Sequence, residues 1–271
     1  MLNNQSLSNS KNPIQKIIFG SPGTGKSRKV NDIIIPQLGI NEKLNPENVI
    51  KTVFHPEYTY GDFVGKLMPL TNSDGKVDYK FYEGHFLKAL AQAYKNILDH
   101  KENEELKNVV LVIDEINRGN SSAIFGTVFQ LLDRGDDNWS DYGINISDLE
   151  FRTIIDLIGF KKAGEEHKIP TYTYGRHTSG KKLKEYQDIL DKIRIKVENS
   201  TVIGSSIRLP HNLSIIATMN TSDNSIYFMD SAFKRRWEWE FMDWDESEPE
   251  EAIYPDFDEN EWKKLVKQIN L

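Results

Sequence analysis

Short, unbroken apolar runs alternate along this chain with stretches whose apolar residues fall at helical spacing. Lys16–Gly20 is one such run, bounded by Pro13 and a Gly-rich turn, and it predicts a buried strand. A helix is predicted from about Gly25 through Val30 and Ile33–Ile35, stopped by Pro36. Asn48–Phe54 predicts a second strand, and Glu83–His100 a helix with Phe86, Leu87, Leu90, Ala91, Tyr94 and Leu98 on its apolar face. Asn108–Ile113 has no polar interruption after its first residue, as expected of a strand buried on both faces of a parallel sheet. A helix over Ser121–Leu132, a strand over Leu213–Met219 and a fifth strand over Trp237–Met242 complete the series. Strands that alternate with helices in this way predict an α/β domain with a five-stranded, mostly parallel sheet flanked by helices.

Two stretches interrupt the series. Tyr60–Tyr82 contains Gly61, Gly65, Pro69 and the turn Asn72-Ser73-Asp74-Gly75, and reads as an insertion ahead of the main part of the second helix. Gly135–Pro210 is far longer than a usual connection. Within it, residues 161–196 carry ten Lys or Arg against five acids, with Tyr172, Tyr174 and Tyr186 among them. A basic, aromatic surface of that kind suits nucleic acid or a partner. A solvated insert with a helix over Lys182–Ile195 is the plainer reading.

Charge narrows the function further. The chain has 34 basic and 41 acidic residues, a net −7, so it does not suit a protein that coats DNA by bulk charge, and any DNA contact must be local. It has no cysteine, which excludes disulfides and Cys-ligated zinc and is compatible with a reducing cytoplasm. The six histidines show no metal-ligand spacing. Met1–Asn12 is polar, unlike a signal peptide, and Val109–Ile113 is too short to span a bilayer. A soluble, cytoplasmic protein without membrane contact is expected.

Four segments carry chemistry. Gly20-Ser21-Pro22-Gly23-Thr24-Gly25-Lys26-Ser27 is a complete Walker A loop between a predicted strand and a predicted helix. Its glycines let successive amides turn inward as an anion nest, and the following helix aims its N-terminus at the β-phosphate. Lys26 is expected at the β- and γ-phosphates, with the Ser27 hydroxyl on Mg²⁺. The apolar run ending in Asp114-Glu115 places two acids at the C-terminal edge of the sheet, with Asp114 in the Mg²⁺ shell and Glu115 polarising the attacking water. The strand Leu213–Met219 ends at Asn220, which is expected to bridge the γ-phosphate and that water. Asp230-Ser231-Ala232-Phe233-Lys234-Arg235-Arg236-Trp237 puts adjacent arginines at a helix end. Either Arg235 or Arg236 could project to a neighbouring subunit's γ-phosphate, while capping of the helix by cations is the bland alternative.

Three of these segments together resemble a known family. Asp114-Glu115-Ile116-Asn117-Arg118-Gly119-Asn120, Thr218-Met219-Asn220-Thr221-Ser222-Asp223 and Phe233-Lys234-Arg235-Arg236-Trp237, with the Walker loop, are similar to the McrB family. These are the AAA+ motors of McrBC modification-dependent restriction systems. Phe54-His55-Pro56-Glu57-Tyr58-Thr59-Tyr60-Gly61-Asp62-Phe63 extends the match, which covers most of residues 14–245. The resemblance implies an AAA+ P-loop NTPase fold with insertions in helix 2 and before the sensor-1 strand. It also implies a preference for GTP over ATP tied to a Met-Asn-x-x-Asp element (Asn220 and Asp223 here), hexameric rings, and an McrC-type endonuclease partner that cuts translocated DNA. Arg118 would act near the subunit interface.

The expected organisation is a polar tail at 1–13, a nucleotide-binding domain at 14–245 with an insert at about 136–210, and a linker with the start of a lid at 246–271. On this reading no reader domain for modified DNA precedes Gly20, and the C-terminal lid is truncated. The main alternative is a MoxR-like ATPase that remodels a protein partner. A third reading is a nucleotide-gated assembly module that hydrolyses slowly.

Overall fold

The computed structural model describes residues 12–101, 103–166, 169–174, 182–183, 205–221 and 227–243. A five-stranded sheet forms its centre. In chain order its strands are β1 (Gln15–Gly20), β2 (Val49–Val53), β5 (Val109–Asp114), β11 (Leu213–Asn220) and β12 (Glu238–Phe241). They lie side by side as β12-β1-β11-β5-β2, and each adjacent pair is parallel.

The unbroken apolar runs follow from coverage on both faces. Side chains alternate along a strand, so Val109, Leu111 and Ile113 enter one core with Leu87, Leu90 and Tyr94 of the His85–Asp99 helix. Val110 and Val112 face the other way, onto Val30, Ile34, Ile35 and Leu38. Neither face of β5 meets water over Val109–Ile113, and the first polar residue is Asp114 at its C-terminal end.

The first helix does not stop at Pro36. It runs as α-helix over Lys26–Lys29, widens to a π-turn over Val30–Ile34 and closes with Ile35–Gln37. Proline lacks an N–H and crowds the carbonyl one turn back; the wider turn ahead of Pro36 gives its ring room. The Ser121–Leu132 helix is likewise not continuous. It is α-helical over Ser121–Phe125 and 3₁₀ over Gly126–Leu132, because Gly126 has φ 51, outside any right-handed helix.

The first interruption is a short helix, Tyr60–Phe63, followed by an antiparallel hairpin of β3 (Gly65–Thr71) and β4 (Val77–Glu83). Thr59 and Asp62 form a reciprocal capping box at its entry. The second interruption builds its own small layer. Here β6 (Ile144–Ile146) pairs with β10 (Ser205–Ile207), and the Asp148–Ile158 helix buries Phe151, Ile154, Ile155 and Ile158 in the main core.

A three-stranded sheet of β7 (Lys161–Glu166), β8 (Ile169–Thr173) and β9 (Lys182–Leu183) follows. Lys182 and Leu183 were expected to open a helix; instead they pair with Thr173 and Tyr172 on the free edge of β8. The remainder of that expected helix lies outside the described residues. Tyr174, counted with the basic aromatic stretch, is turned inward: its ring packs 4.7 Å from Phe160 and its hydroxyl bonds to Asp99. The linker and lid expected at 246–271 also lie outside the described residues. Among those described, no helix is long and apolar enough to cross a membrane.

Arg134 joins the two ends of the long excursion. Its guanidinium donates to the carbonyls of Asn138 (2.7 Å) and Pro210 (3.2 Å), and to that of Leu213 (2.7 Å) at the start of β11. A fourth contact runs to Gln15 Oε1 on β1, at 3.3 Å. Burial lowers its pKa to about 10, so it stays charged at neutral pH. Replacing Arg134 with Met strands these carbonyls. A loss of about 3 kcal/mol is expected in urea unfolding, and a loss under about 1 kcal/mol would show that water substitutes for the guanidinium.

Candidate active site

Strand register assembles the site. Gly20 at the end of β1 lies opposite Asn220 at the end of β11, and Ala217 pairs with Ile113, one residue before Asp114. All three strands point the same way, so their C-terminal ends meet on one edge, where ligands of α/β sheets bind.

The loop leaving β1 has Gly23 and Gly25 at φ 81 and 82, left-handed values that a side chain would strain. Gly20 has no room for a side chain, since a Cβ would come within 2.2 Å of the Met242 carbonyl beyond β12. Thr24 is buried and donates to the Ser21 carbonyl at 2.9 Å, tightening the loop. Lys26 is also buried, with Nζ donating to the carbonyls of Ser21 (2.7 Å) and Gly20 (3.0 Å). Ser27, on the first turn of the helix, is exposed.

Across from the loop, Asp114 accepts a hydrogen bond from the Thr218 hydroxyl at 2.8 Å. Glu115 has φ 56 and ψ 46, a left-handed conformation unusual for a side-chain-bearing residue. Asn220 Nδ2 donates to its Oε1 at 2.5 Å. Between these two walls lies an open cavity of about 380 Å³, lined by Pro22, Gly23, Gly25, Lys26, Ser27 and Arg28 on one side and Asp114, Glu115, Thr218 and Asn220 on the other. A lysine, loop amides, a hydroxyl and two carboxylates suit a polyphosphate carrying a hard divalent cation. Ser27 and Asp114, on opposite walls, each present an oxygen of the hard kind such a cation takes.

The segment after β2 braces this wall. Phe54 N–H donates to the Asp114 carbonyl at 2.9 Å, and Tyr58 stacks on Phe54 with ring centres 4.8 Å apart. The Tyr58 hydroxyl accepts from Thr52 at 3.0 Å and lies 2.9 Å from His85 Nδ1; burial pushes its pKa up to about 12.

The arginines lie elsewhere. Arg118 is exposed at the end of the 3₁₀ turn Ile116–Arg118 and does not line the cavity. Arg235 is exposed just past the Ser231–Lys234 helix. Arg236 is committed within the chain: Nη2 pairs with Asp133 at 2.6 Å, Nη1 donates to the Ala232 carbonyl at 2.7 Å, and the guanidinium lies 4.6 Å from the centre of the Phe129 ring. Asp223 lies outside the described residues.

No family model matches the sequence. The Bacillus subtilis protein named "Type II restriction enzyme BsuMI component YdiS" is 30% identical over 252 residues, 85% of this chain and 57% of that protein. The Escherichia coli "Type IV methyl-directed restriction enzyme EcoKMcrB subunit" is 27% identical over 250 residues, 92% of this chain and 37% of that protein. The chain is an McrB-like AAA+ protein. It spans about half the length of the first of these relatives and less of the second. A solved Cytophaga hutchinsonii chain, 11% identical, covers 94% of this chain and 46% of its own at a TM-score of 0.35, a likeness too loose to carry an argument.

In this McrB-like chain two residues at the sheet edge were not among the sequence-based candidates. Thr218 both donates to Asp114 and accepts from the Glu115 N–H at 3.4 Å. Its signal was a hydroxyl directly after the apolar run Ile215–Ala217, readable only once β11 is known to lie beside β5. Asn117 is fully buried behind the acids and donates to the Asn220 carbonyl at 2.9 Å. Thr218→Val keeps the shape and removes the hydroxyl that orients Asp114. The Mg²⁺ concentration needed for fluorescent-nucleotide binding is expected to rise roughly tenfold. An unchanged Mg²⁺ titration would remove Thr218 from that role.

Proposed function

We propose that this chain is the nucleoside-triphosphate-hydrolysing motor subunit of an McrBC-like restriction complex, with GTP as its preferred substrate. The observation that carries the reading is the single cavity shared by the Walker loop, Asp114-Glu115 and Asn220. The similarity to restriction-system relatives supports the setting. GTP rather than ATP rests on the resemblance of the element from Met219 to Asp223 alone. A hexameric ring, an McrC-type endonuclease partner and DNA driven past the ring complete the proposal. With a net charge of −7, the chain would grip DNA only locally.

Each side chain has a task in this scheme. Lys26 would exchange the carbonyls of Gly20 and Ser21 for phosphate oxygens, joined by the amides of Gly23 and Gly25. Ser27 and Asp114 would hold Mg²⁺, which neutralises charge between the β- and γ-phosphoryl groups. Glu115, steadied by Asn220, would polarise a water that attacks the γ-phosphorus as the bond to the β-phosphate oxygen breaks. Asp223 would assist Asn220. Arg235 would reach the γ-phosphoryl group of a neighbouring subunit, and Arg118 would act across the same interface. Of the adjacent arginines, Arg235 is favoured as the finger, because Arg236 would first have to leave Asp133.

Glu115→Gln is expected to lower phosphate release at least ~100-fold while nucleotide affinity is kept; retained turnover would remove Glu115 from the water's side. Phosphate release measured with GTP and ATP, each with and without DNA and the endonuclease subunit, tests the rest. GTP-selective turnover raised by those partners is expected. Stimulation by a protein client but not by DNA would favour the remodelling alternative.

A further inference from the structure

Asn117 is a buried polar residue whose contacts reach two places at once. It lies on the 3₁₀ turn between Glu115 and the next helix, with no exposed surface. Its Nδ2 donates to the main-chain carbonyl of Asn220 at 2.9 Å, and Asn220 in turn holds Glu115 at 2.5 Å. Its own main-chain carbonyl accepts from the Tyr227 N–H at 2.9 Å. Its Oδ1 is buried and has no hydrogen-bond partner among the described residues. An unpaired buried amide oxygen is unfavourable, and an apolar residue in this place would avoid that cost. What an apolar residue could not do is grip Asn220.

Tyr227 leads into the arginine helix. Three residues on, Asp230 caps that helix by accepting the Phe233 N–H at 2.7 Å, and Arg235 follows its last turn. The segment carrying Asn117 makes two more ties to the same helix. Ser122 donates to Asp230 at 2.9 Å, and the Phe125 ring packs edge-on against Phe233 with centres 5.1 Å apart. The catalytic wall and the base of the arginine helix are therefore fastened to one short segment, and Asn117 is the residue in it that bonds to both sides.

We propose that Asn117 is a positioning residue that couples the chain's own hydrolytic pair, Glu115 and Asn220, to the aim of the arginine presented to the next subunit. A displacement of Asn220 in response to the γ-phosphate pulls on Asn117 Nδ2, and the Asn117 carbonyl passes it to Tyr227 and the helix cap. The proposal rests on the reading of Arg235 as an arginine that acts in trans.

Mixed assemblies of the full chain separate the two ideas. An Arg235→Ala subunit keeps its own site but does not present Arg235; a Glu115→Gln subunit binds nucleotide with little turnover of its own and presents Arg235. Mixing them is expected to restore GTP turnover, and no recovery would overturn the trans arginine and this coupling with it. With recovery in hand, Asn117→Leu is added to the Glu115→Gln donor. Its own site is already silent, so any effect must travel through the arginine. At least a fivefold smaller recovery is expected, at equal melting temperature and equal incorporation into the mixed assembly by native mass spectrometry. Full recovery would overturn the coupling. If the leucine lowers the melting temperature, Asn117→Ser, which is too short to reach Asn220, is read against the same two outcomes.

Discussion

Parallel pairing of β1 with β11, and of β11 with β5, sets Gly20 beside Asn220 and brings Thr218 against Asp114. Every other feature of the site follows from that register. Side chains alternate along a strand, so a slip of one residue would turn Thr218 and Asn220 to the opposite face and leave Glu115 without its amide. The two cores enforce the register from both sides, because the same slip would drive Ile215 and Ile216 into the wrong layers. Apolar packing thus fixes polar geometry, with nothing at the site itself needed to define it.

The edge of the sheet is where the domain departs from its own packing rules. Lys26, Thr24, Asn117 and Thr218 are buried polar residues clustered beside a glutamate in left-handed backbone. Each donates to a backbone carbonyl or a facing acid, which is the condition for keeping such groups out of water, and the Asn117 Oδ1 is the exception. Behind them an aromatic stack supplies rigidity. Phe54, Phe63, Phe125, Phe233 and Trp237 pack in successive contact between the end of β2 and the start of β12. Local strain at Glu115 is thereby set against a wall with little freedom to relax.

Contiguous chemistry was legible in the sequence and distributed chemistry was not. The Walker loop and the Asp114-Glu115 pair could be read directly because each is one short segment flanked by an apolar strand. Thr218 escaped because its partner is more than a hundred positions away, and only the strand order puts them together. The two adjacent arginines looked equivalent for the same reason: Asp133 and Phe129, which engage Arg236, are invisible from residues 230–237. The helix expected to stop at Pro36 shows a different limit. Proline reports a missing donor, but whether the turn before it can widen depends on packing against β5. Gly126 shows the reverse, a break that helical spacing alone concealed.

The long excursion between Arg134 and Leu213 has its two ends joined by one guanidinium, with Ser140 and Leu209 bonded beside it. Its two mouths are stitched to each other and to β1, and its Asp148–Ile158 helix is anchored in the main core, so among the described residues it is the hairpin of β7 and β8 that stands clear of the sheet. Length and content in that outer part are bound less by the fold, since extending a closed loop adds little entropic penalty. An appendage there can be lengthened or exchanged while the sheet edge retains its geometry.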